Sequence, residues 1–387
     1  MSLSFQTISV AKNPSRDALV SLRRQLISRC LALFRKSKTA SRHFLARCIQ
    51  PILLRHYSRQ TERLIVFLVP GVDVAGGGIF SIVAIHEESQ KMADVHLSDV
   101  VLCTLPKHRT FLKLTKFKNS SRILRFAQIL PYFSDLRSLL IHVPECYIND
   151  FMASLCEGDL GRLKSIPDLR INILLQNIDA IEGQNLDQLK KIGSLTCTTA
   201  HDRYCTVEMR KRFGIPLHRL STQISPEQYE RIGFEAKKDM LVISPDPHPF
   251  KAEILAWIGK RLPDLRMVVV QDMTYEDYKL LMKSAKWCLT FGEGLDNYFL
   301  ECVFMGGVSF AIYNEKFFSS DFAKLKTVYP DLKGFTEGIV NDLVALNDPL
   351  KYQECAAKQH ALCSTHYSHD NYVKNLKHYY QGQFTFS

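Results

Sequence analysis

Phe291-Gly292-Glu293-Gly294, with a second acid at Glu301, is the stretch of this 387-residue chain whose residue types and spacing could do chemistry. Glycines at a strand-to-helix turn let the backbone N–H groups converge on one point. The helix N-terminus behind them favours negative charge, and the two features together suit a diphosphate. Glu293 lies on the turn and Glu301 about two helical turns beyond it, so both are placed to face one ligand. Carboxylates repel phosphate but accept hydrogen bonds from ribose and sugar hydroxyls. A phosphate-facing backbone beside hydroxyl-facing carboxylates points to a nucleotide sugar. Gly292, Gly294, Asn297 and Tyr298 complete the expected binding face, with Glu293 as the residue nearest the chemistry.

The neighbouring sequence must position that turn. Residues 286–291 read as a short buried strand, 296–305 as a helix, Gly306-Gly307 as its stop, and 308–313 as the next strand. The same texture begins at residue 62. The apolar run 64–69 reads as a fully buried parallel strand and leads through Gly76-Gly77-Gly78 into a helix over 79–88. Further strands are expected at 100–105, 138–143, 171–175 and 194–198, separated by helical stretches. A polar linker over 221–238 precedes a second series, with strands at 239–244 and 266–270 and helices at 251–260 and 275–283. Two doubly wound α/β domains follow from this pattern. The expected boundaries are 1–60 for a basic N-terminal arm, 61–225 and 226–350 for the domains, and 351–387 for a helical, aromatic C-terminal segment.

Ligands of such domains bind at the C-terminal ends of the strands, and three more candidates fall there. Gly77 and Gly78 form a flexible loop over the cleft or a plain tight turn. The loop is not a dinucleotide fingerprint, since Ser81 stands where that pattern needs glycine, and no Gly-Lys-Ser/Thr makes it a P-loop. Lys251 begins a helix after Ser244-Pro245-Asp246-Pro247-His248-Pro249-Phe250 and could ion-pair with a diphosphate. His142, in Ile141-His142-Val143-Pro144-Glu145, is expected at a strand end facing the cleft, where it could orient a bound sugar. His201, Asp202, Gln176 and Asn177 close other strands as polar lining.

Composition excludes several classes. Hydrophobic content of 46% is that of a globular protein, and no apolar run reaches the length of a membrane-spanning helix. Eleven cysteines without a C-x2-C pair argue for reduced, buried thiols and against zinc. No G-x-S-x-G elbow or H-E-x-x-H helix is present. Residues 1–60 hold twelve Lys or Arg against one acid, Asp17, so the arm carries +11, the formal charge of the whole chain. Its apolar residues recur every three or four positions (Leu19, Leu22, Leu26, Cys30, Leu33) with arginines largely on other faces. Three readings stay open: a helix on an anionic membrane, a transit peptide, or an extension packed on the body. Aromatics are not interleaved with the charges, so nucleic acid is not expected as a partner.

The order strand, Gly-Glu-Gly turn, helix with Glu301, Gly-Gly, strand resembles the E-x7-E region of retaining glycosyltransferases of the GT-B fold, such as those of glycosyltransferase family 4. The resemblance covers roughly residues 62–387 and is strongest over 275–318. It implies two Rossmann-like domains facing a cleft, with the C-terminal helix returning to the first. It implies transfer of a hexosyl or deoxyhexosyl group from a nucleoside diphosphate to a glycan or lipid-linked acceptor in polysaccharide biosynthesis, with retention and without metal or cofactor. A Gly-Gly loop matches Gly77-Gly78. Lys251 matches one of two basic residues that grip diphosphate in that family, but Asp246 stands upstream where no Arg is found, and Ala252 replaces the usual glycine. The expected location is cytoplasmic, peripheral at the inner face of a membrane. Two alternatives are a nucleotide-sugar epimerase of the same fold and a non-catalytic partner in polysaccharide assembly.

Overall fold

Apolar runs too continuous to alternate between wet and dry faces must be buried on both. The computed structural model describes residues 53–71, 77–105, 122–221 and 229–387. Gly76 and residues 1–52, hence nearly all of the basic arm, lie outside the described residues. In this structure the first apolar run forms β1 (Arg63–Val69), with every residue after Arg63 buried. It is followed by β2 (Asp99–Thr104), β3 (Ile123–Arg125), β4 (Ser138–Pro144), β5 (Asp168–Leu175), β6 (Ser194–Thr199) and β7 (Leu217–Arg219). These seven strands form one sheet in the order β3-β2-β1-β4-β5-β6-β7, and all its pairings are parallel.

The second sheet contains β8 (Lys238–Ile243), β9 (Arg266–Val269), β10 (Ala285–Leu289), β11 (Val308–Ile312) and β12 (Val328–Tyr329), ordered β12-β11-β10-β8-β9 and also parallel. Both orders reverse once, the first between β1 and β4, the second between β8 and β10. Loops leaving neighbouring strands part at such a switch point and open a crevice there. Gly77 and Gly78, expected in a loop, instead open the Gly77–Gln90 helix that comes after β1, and the Gly292-Glu293-Gly294 turn follows β10. Topology alone therefore puts both glycine turns where ligands of this fold bind.

The C-terminal segment divides between the domains. The Pro349–Tyr367 helix sends Tyr352 and Ala356 into the core of the second domain, among Leu241, Trp287 and Phe310. After Ser368 the His369–Tyr380 helix buries Tyr372, Leu376 and Tyr379 against Phe67, Ile82 and Leu140 of the first. Phe386 then bridges antiparallel to Leu217 of β7. At the other end, residues 54–60 lie on the first domain: Leu54 is buried, Tyr57 meets Phe133 edge-on, and Arg59 covers the Tyr132 ring.

Nine described cysteines are free thiols; Cys146 and Cys156 are exposed, contrary to the expectation that they are buried. Among the described residues, no helix is long and apolar enough to cross a membrane.

Candidate functional site

The turn after β10 is built by its glycines. Gly292 and Gly294 have φ of +69° and +79°, in the left-handed region that only glycine enters freely. A Cβ on Gly294 would stand 2.7 Å from the Phe318 ring and 3.0 Å from the Ile312 carbonyl oxygen, so space as well as φ demands glycine. Thr290 Oγ1 donates to the Gly294 carbonyl at 2.6 Å, closing the turn, and the Ser244 hydroxyl accepts from the Phe291 N–H at 3.0 Å, tying it to the end of β8. Asp296 caps the Asn297–Phe304 helix by accepting from the Phe299 N–H at 3.0 Å.

This turn forms one wall of a cavity of about 350 Å³ between the domains. The second domain contributes Asp246, Gly292, Glu293, Asp296, Asn297 and Tyr298. Across from them stand Gly77, Gly78, Ser81, Gln176 and His201 of the first domain, with Tyr367 from the crossing helix. The walls come close at Gly77, where a Cβ would lie 3.8 Å from Asn297 Nδ2. Gln176 Nε2 donates to the Gly78 carbonyl at 3.1 Å, and its Oε1 leaves no room for a Cβ there. The first turn of the Gly77–Gln90 helix is thus held by the loop after β5. The volume is that of a small-molecule site.

The electrostatics depart from those expected of a diphosphate clamp. Glu293 is partly buried, and its carboxyl is pushed up to about 7, first by burial, then by the charges of Asp246 and Glu145. Asp246 Oδ2 is buried without a hydrogen-bond partner. Asp296, also on this wall, is held well above the usual carboxylate range, chiefly by burial. Among the described residues lining the cavity there is no Lys or Arg. Lys251 does begin a helix beside the site, but it is not on the cavity wall. Two of its three donors serve the carbonyls of Ser244 at 2.6 Å and Asp246 at 3.0 Å, and the ammonium lies 5.4 Å over the Phe291 ring. Lys251 therefore fastens the loop after β8, and the expected ion pair to a diphosphate has no preformed geometry.

Two expectations are corrected by position. His142 does not face the cleft. β4 runs on to Pro144, so His142 sits within the strand, 1% exposed, stacked on Phe67 with ring centroids 4.1 Å apart. Asn172 Nδ2 lies 3.0 Å from its Nδ1, and Tyr379 packs over it. Burial, then the charges of Arg170 and His96, drive its pKa down to about 3, so it is a neutral core residue. Glu301 occupies the expected helix but is not on the cavity wall. It is 3% exposed, accepts from the Tyr229 hydroxyl at 3.0 Å, and also interacts with the Tyr278 hydroxyl. Tyrosines already serve the carboxylate that was expected to meet a ribose.

Gly77, Gly78, Gly292, Glu293, Asn297 and Tyr298 all reach the cavity, and Gly294 holds the turn from behind. His201 does so too, as a buried ring whose pKa falls to about 4 through burial, with Nδ1 unpartnered. Asn177 donates its backbone N–H to Glu145 at 2.9 Å, fixing a carboxylate that acts on Glu293 through charge alone. Sequence reading did not assign Asp296, Ser81 or Tyr367 to the site. A helix-capping Asp and an Asp after β8 carry no distinguishing signal; the acid at 246 was visible only as a departure from a pattern.

Two parallel α/β sheets facing a cleft define the GT-B fold class. Solved structures share it. An α-glucosyltransferase in complex with UDP and a mismatch-containing DNA superposes with TM-score 0.57 and 12% identity, covering 83% of this chain and 100% of that one. HepE of Anabaena, in complex with UDP and glucose, gives 0.53 and 8%, covering 83% and 99%. A glycosyltransferase from Rickettsia africae gives 0.52 and 7%, covering 84% and 100%. No protein-family model and no curated protein sequence matches this chain.

Proposed function

We propose that this protein is a glycosyltransferase that moves a hexosyl or deoxyhexosyl group from a nucleoside diphosphate donor to a glycan or lipid-linked acceptor in polysaccharide biosynthesis. The observation that carries the reading is the Gly292-Glu293-Gly294 turn at the switch point of the second sheet, facing Gly77-Gly78 across a sugar-sized cavity. Three solved structures of the same fold are glycosyltransferases or bind UDP, by their own descriptions. In this reading Glu293 accepts hydrogen bonds from hydroxyls of the transferred sugar, and Asn297 and Tyr298 line the donor. Transfer retains configuration. The bond from the anomeric carbon to the diphosphate breaks with its electrons going to the diphosphate. The acceptor oxygen bonds on the same face and gives its proton to the departing phosphate oxygen. No protein nucleophile or metal is invoked, and the basic residues 1–60 keep the enzyme at the inner face of a membrane.

A second reading, a non-catalytic relative that assembles with such enzymes, is favoured by one observation: among the described residues the cavity is lined by Asp246, Glu293 and Asp296 and by no Lys or Arg. Incubation of the purified chain with a panel of UDP-, GDP- and CDP-sugars, with detection of freed nucleotide and calorimetry of each nucleoside diphosphate, separates the two. Turnover of one donor supports transfer. Absence of both turnover and binding across the panel discards it for the second reading.

A further inference from the structure

His366 stands at the end of the Pro349–Tyr367 helix, two residues before Ser368, where the chain crosses from the second domain to the first. Each ring nitrogen faces a carboxylate. Nδ1 lies 3.3 Å from Asp202 Oδ2, on the loop after β6 in the first domain. Nε2 lies 2.7 Å from Asp321 Oδ2, between β11 and β12 of the second. An ionised carboxylate only accepts, so both contacts are hydrogen bonds only when both nitrogens carry hydrogen. A neutral ring has one N–H to give. The shorter contact, to Asp321, keeps it, and the contact to Asp202 becomes lone pair against lone pair. Deprotonation therefore severs the link that joins the domains and spares the one within the second.

Charged, hydroxyl and aromatic groups surround the ring. The Arg219 guanidinium pairs with Asp202 from β7, and the Ser319 hydroxyl donates to Asp321. Phe322 tilts against the ring at 5.5 Å and Tyr367 at 6.2 Å. The ring's pKa is raised above its ordinary value by the Asp202 hydrogen bond and then by Asp321, against the opposing effect of burial. His201, next to Asp202, and Tyr367, next to His366, both line the cavity. Movement at this bridge is thus movement of both cavity walls.

We propose that His366 is a positioning residue: its ring, hydrogen-bonded at once to Asp202 and Asp321, clamps the two domains and sets the width of the cleft, releasing the first domain when the ring loses its proton. By sign, a raised histidine pKa contributes stability that is complete below about 6.5 and is lost as pH rises through the folded value. A second ion pair between the domains, Lys316 with Asp179 on the loop after β5 at 2.8 Å, is half exposed, and its carboxylate holds the Lys316 ammonium above the ordinary lysine value.

The test uses the full chain. Histidine-ring NMR should place the His366 midpoint above about 6.5, and Asp202→Asn should lower it. Small-angle scattering from about pH 6 to about pH 8.5 should show the radius of gyration rising through that midpoint in the wild type and staying constant in His366→Gln, which is neutral throughout. A midpoint at or below the ordinary value, or an opening that His366→Gln retains, overturns the clamp. Only the activity readout rests on the proposed function: over the same range the donor KM should rise several-fold more in the wild type than in His366→Gln, while kcat changes less. Opening without any turnover would sink the transferase reading alone, and pH-independent scattering with normal turnover would sink the clamp alone.

Discussion

The Tyr229 hydroxyl donates to Glu301 Oε1 at 3.0 Å across 72 positions of sequence. It makes Glu301 a tie between the segment entering the second domain and the helix behind the glycine turn. Glu301→Ala should therefore cost stability directly, by about 1–3 kcal/mol for the buried groups left unsatisfied. Urea unfolding without ligand measures this. An unchanged midpoint with donor affinity reduced tenfold would return Glu301 to the ligand.

Glu293 titrates near neutrality at the wall of an acidic cavity, with a pKa of about 7. An anionic diphosphate beside it favours the protonated form further, so binding takes up a proton. Affinity for UDP should fall as pH rises through about 7, approaching tenfold per unit above it. Glu293→Gln should flatten the dependence. Asp246→Asn removes a neighbouring negative charge that helps raise Glu293 and should lower the Glu293 midpoint while tightening UDP several-fold. Calorimetry in buffers of different ionisation enthalpy reads the proton uptake, and a zero proton count at pH 7 refutes the coupling. For the fold the sign is the same as for His366 but the window is lower: the raised carboxyl makes stability fall between about pH 4.5 and about pH 7 and level off above.

Gly294→Ala should destabilise by about 1–3 kcal/mol, because the residue keeps its left-handed φ and the methyl meets Phe318 and a backbone oxygen. Thermal unfolding checks the number. Loss of UDP binding with an unchanged Tm would instead show that the turn is adaptable and reads ligand only.

The arm, residues 1–60, carries the whole formal charge of the chain, +11. Each Lys or Arg near an anionic surface contributes about 1 kcal/mol. Deleting residues 1–52 should abolish sedimentation with anionic vesicles at low salt while leaving nucleotide binding intact. Full-length protein that ignores such vesicles would favour the packed extension instead.

Much of the frame was legible because its signals are local. Continuous apolar strands, Gly-rich turns and the breaks between them located β1, β2, β4 to β6 and β8 to β11 to within a few residues. The short edge strands β3, β7 and β12, of two or three residues, have no period to detect. The Glu293 turn was legible because its glycines are forced by φ. Glu301 was misread because spacing gives a helix face but not depth: three residues beyond Tyr298, it is 3% exposed and already bonded to Tyr229. His142 was misread because the pattern does not say where β4 ends, nor that a tyrosine from the far end of the chain covers it. The bridge at His366 left no trace in sequence, since its partners are 164 and 45 positions away.

The crossing at Ser368 has a consequence for the order of assembly. The first domain's core is closed by side chains made long after its strands: Thr196 meets the Tyr379 hydroxyl across 183 positions, and Ser89 meets that of Tyr380 across 291. Domains ordinarily complete themselves from the N-terminus as they emerge from the ribosome. Here the leading domain waits with an open flank while the trailing one is synthesised and built. A truncation that removes the His369–Tyr380 helix would thus strand the earliest-made half of the protein, far from the cut.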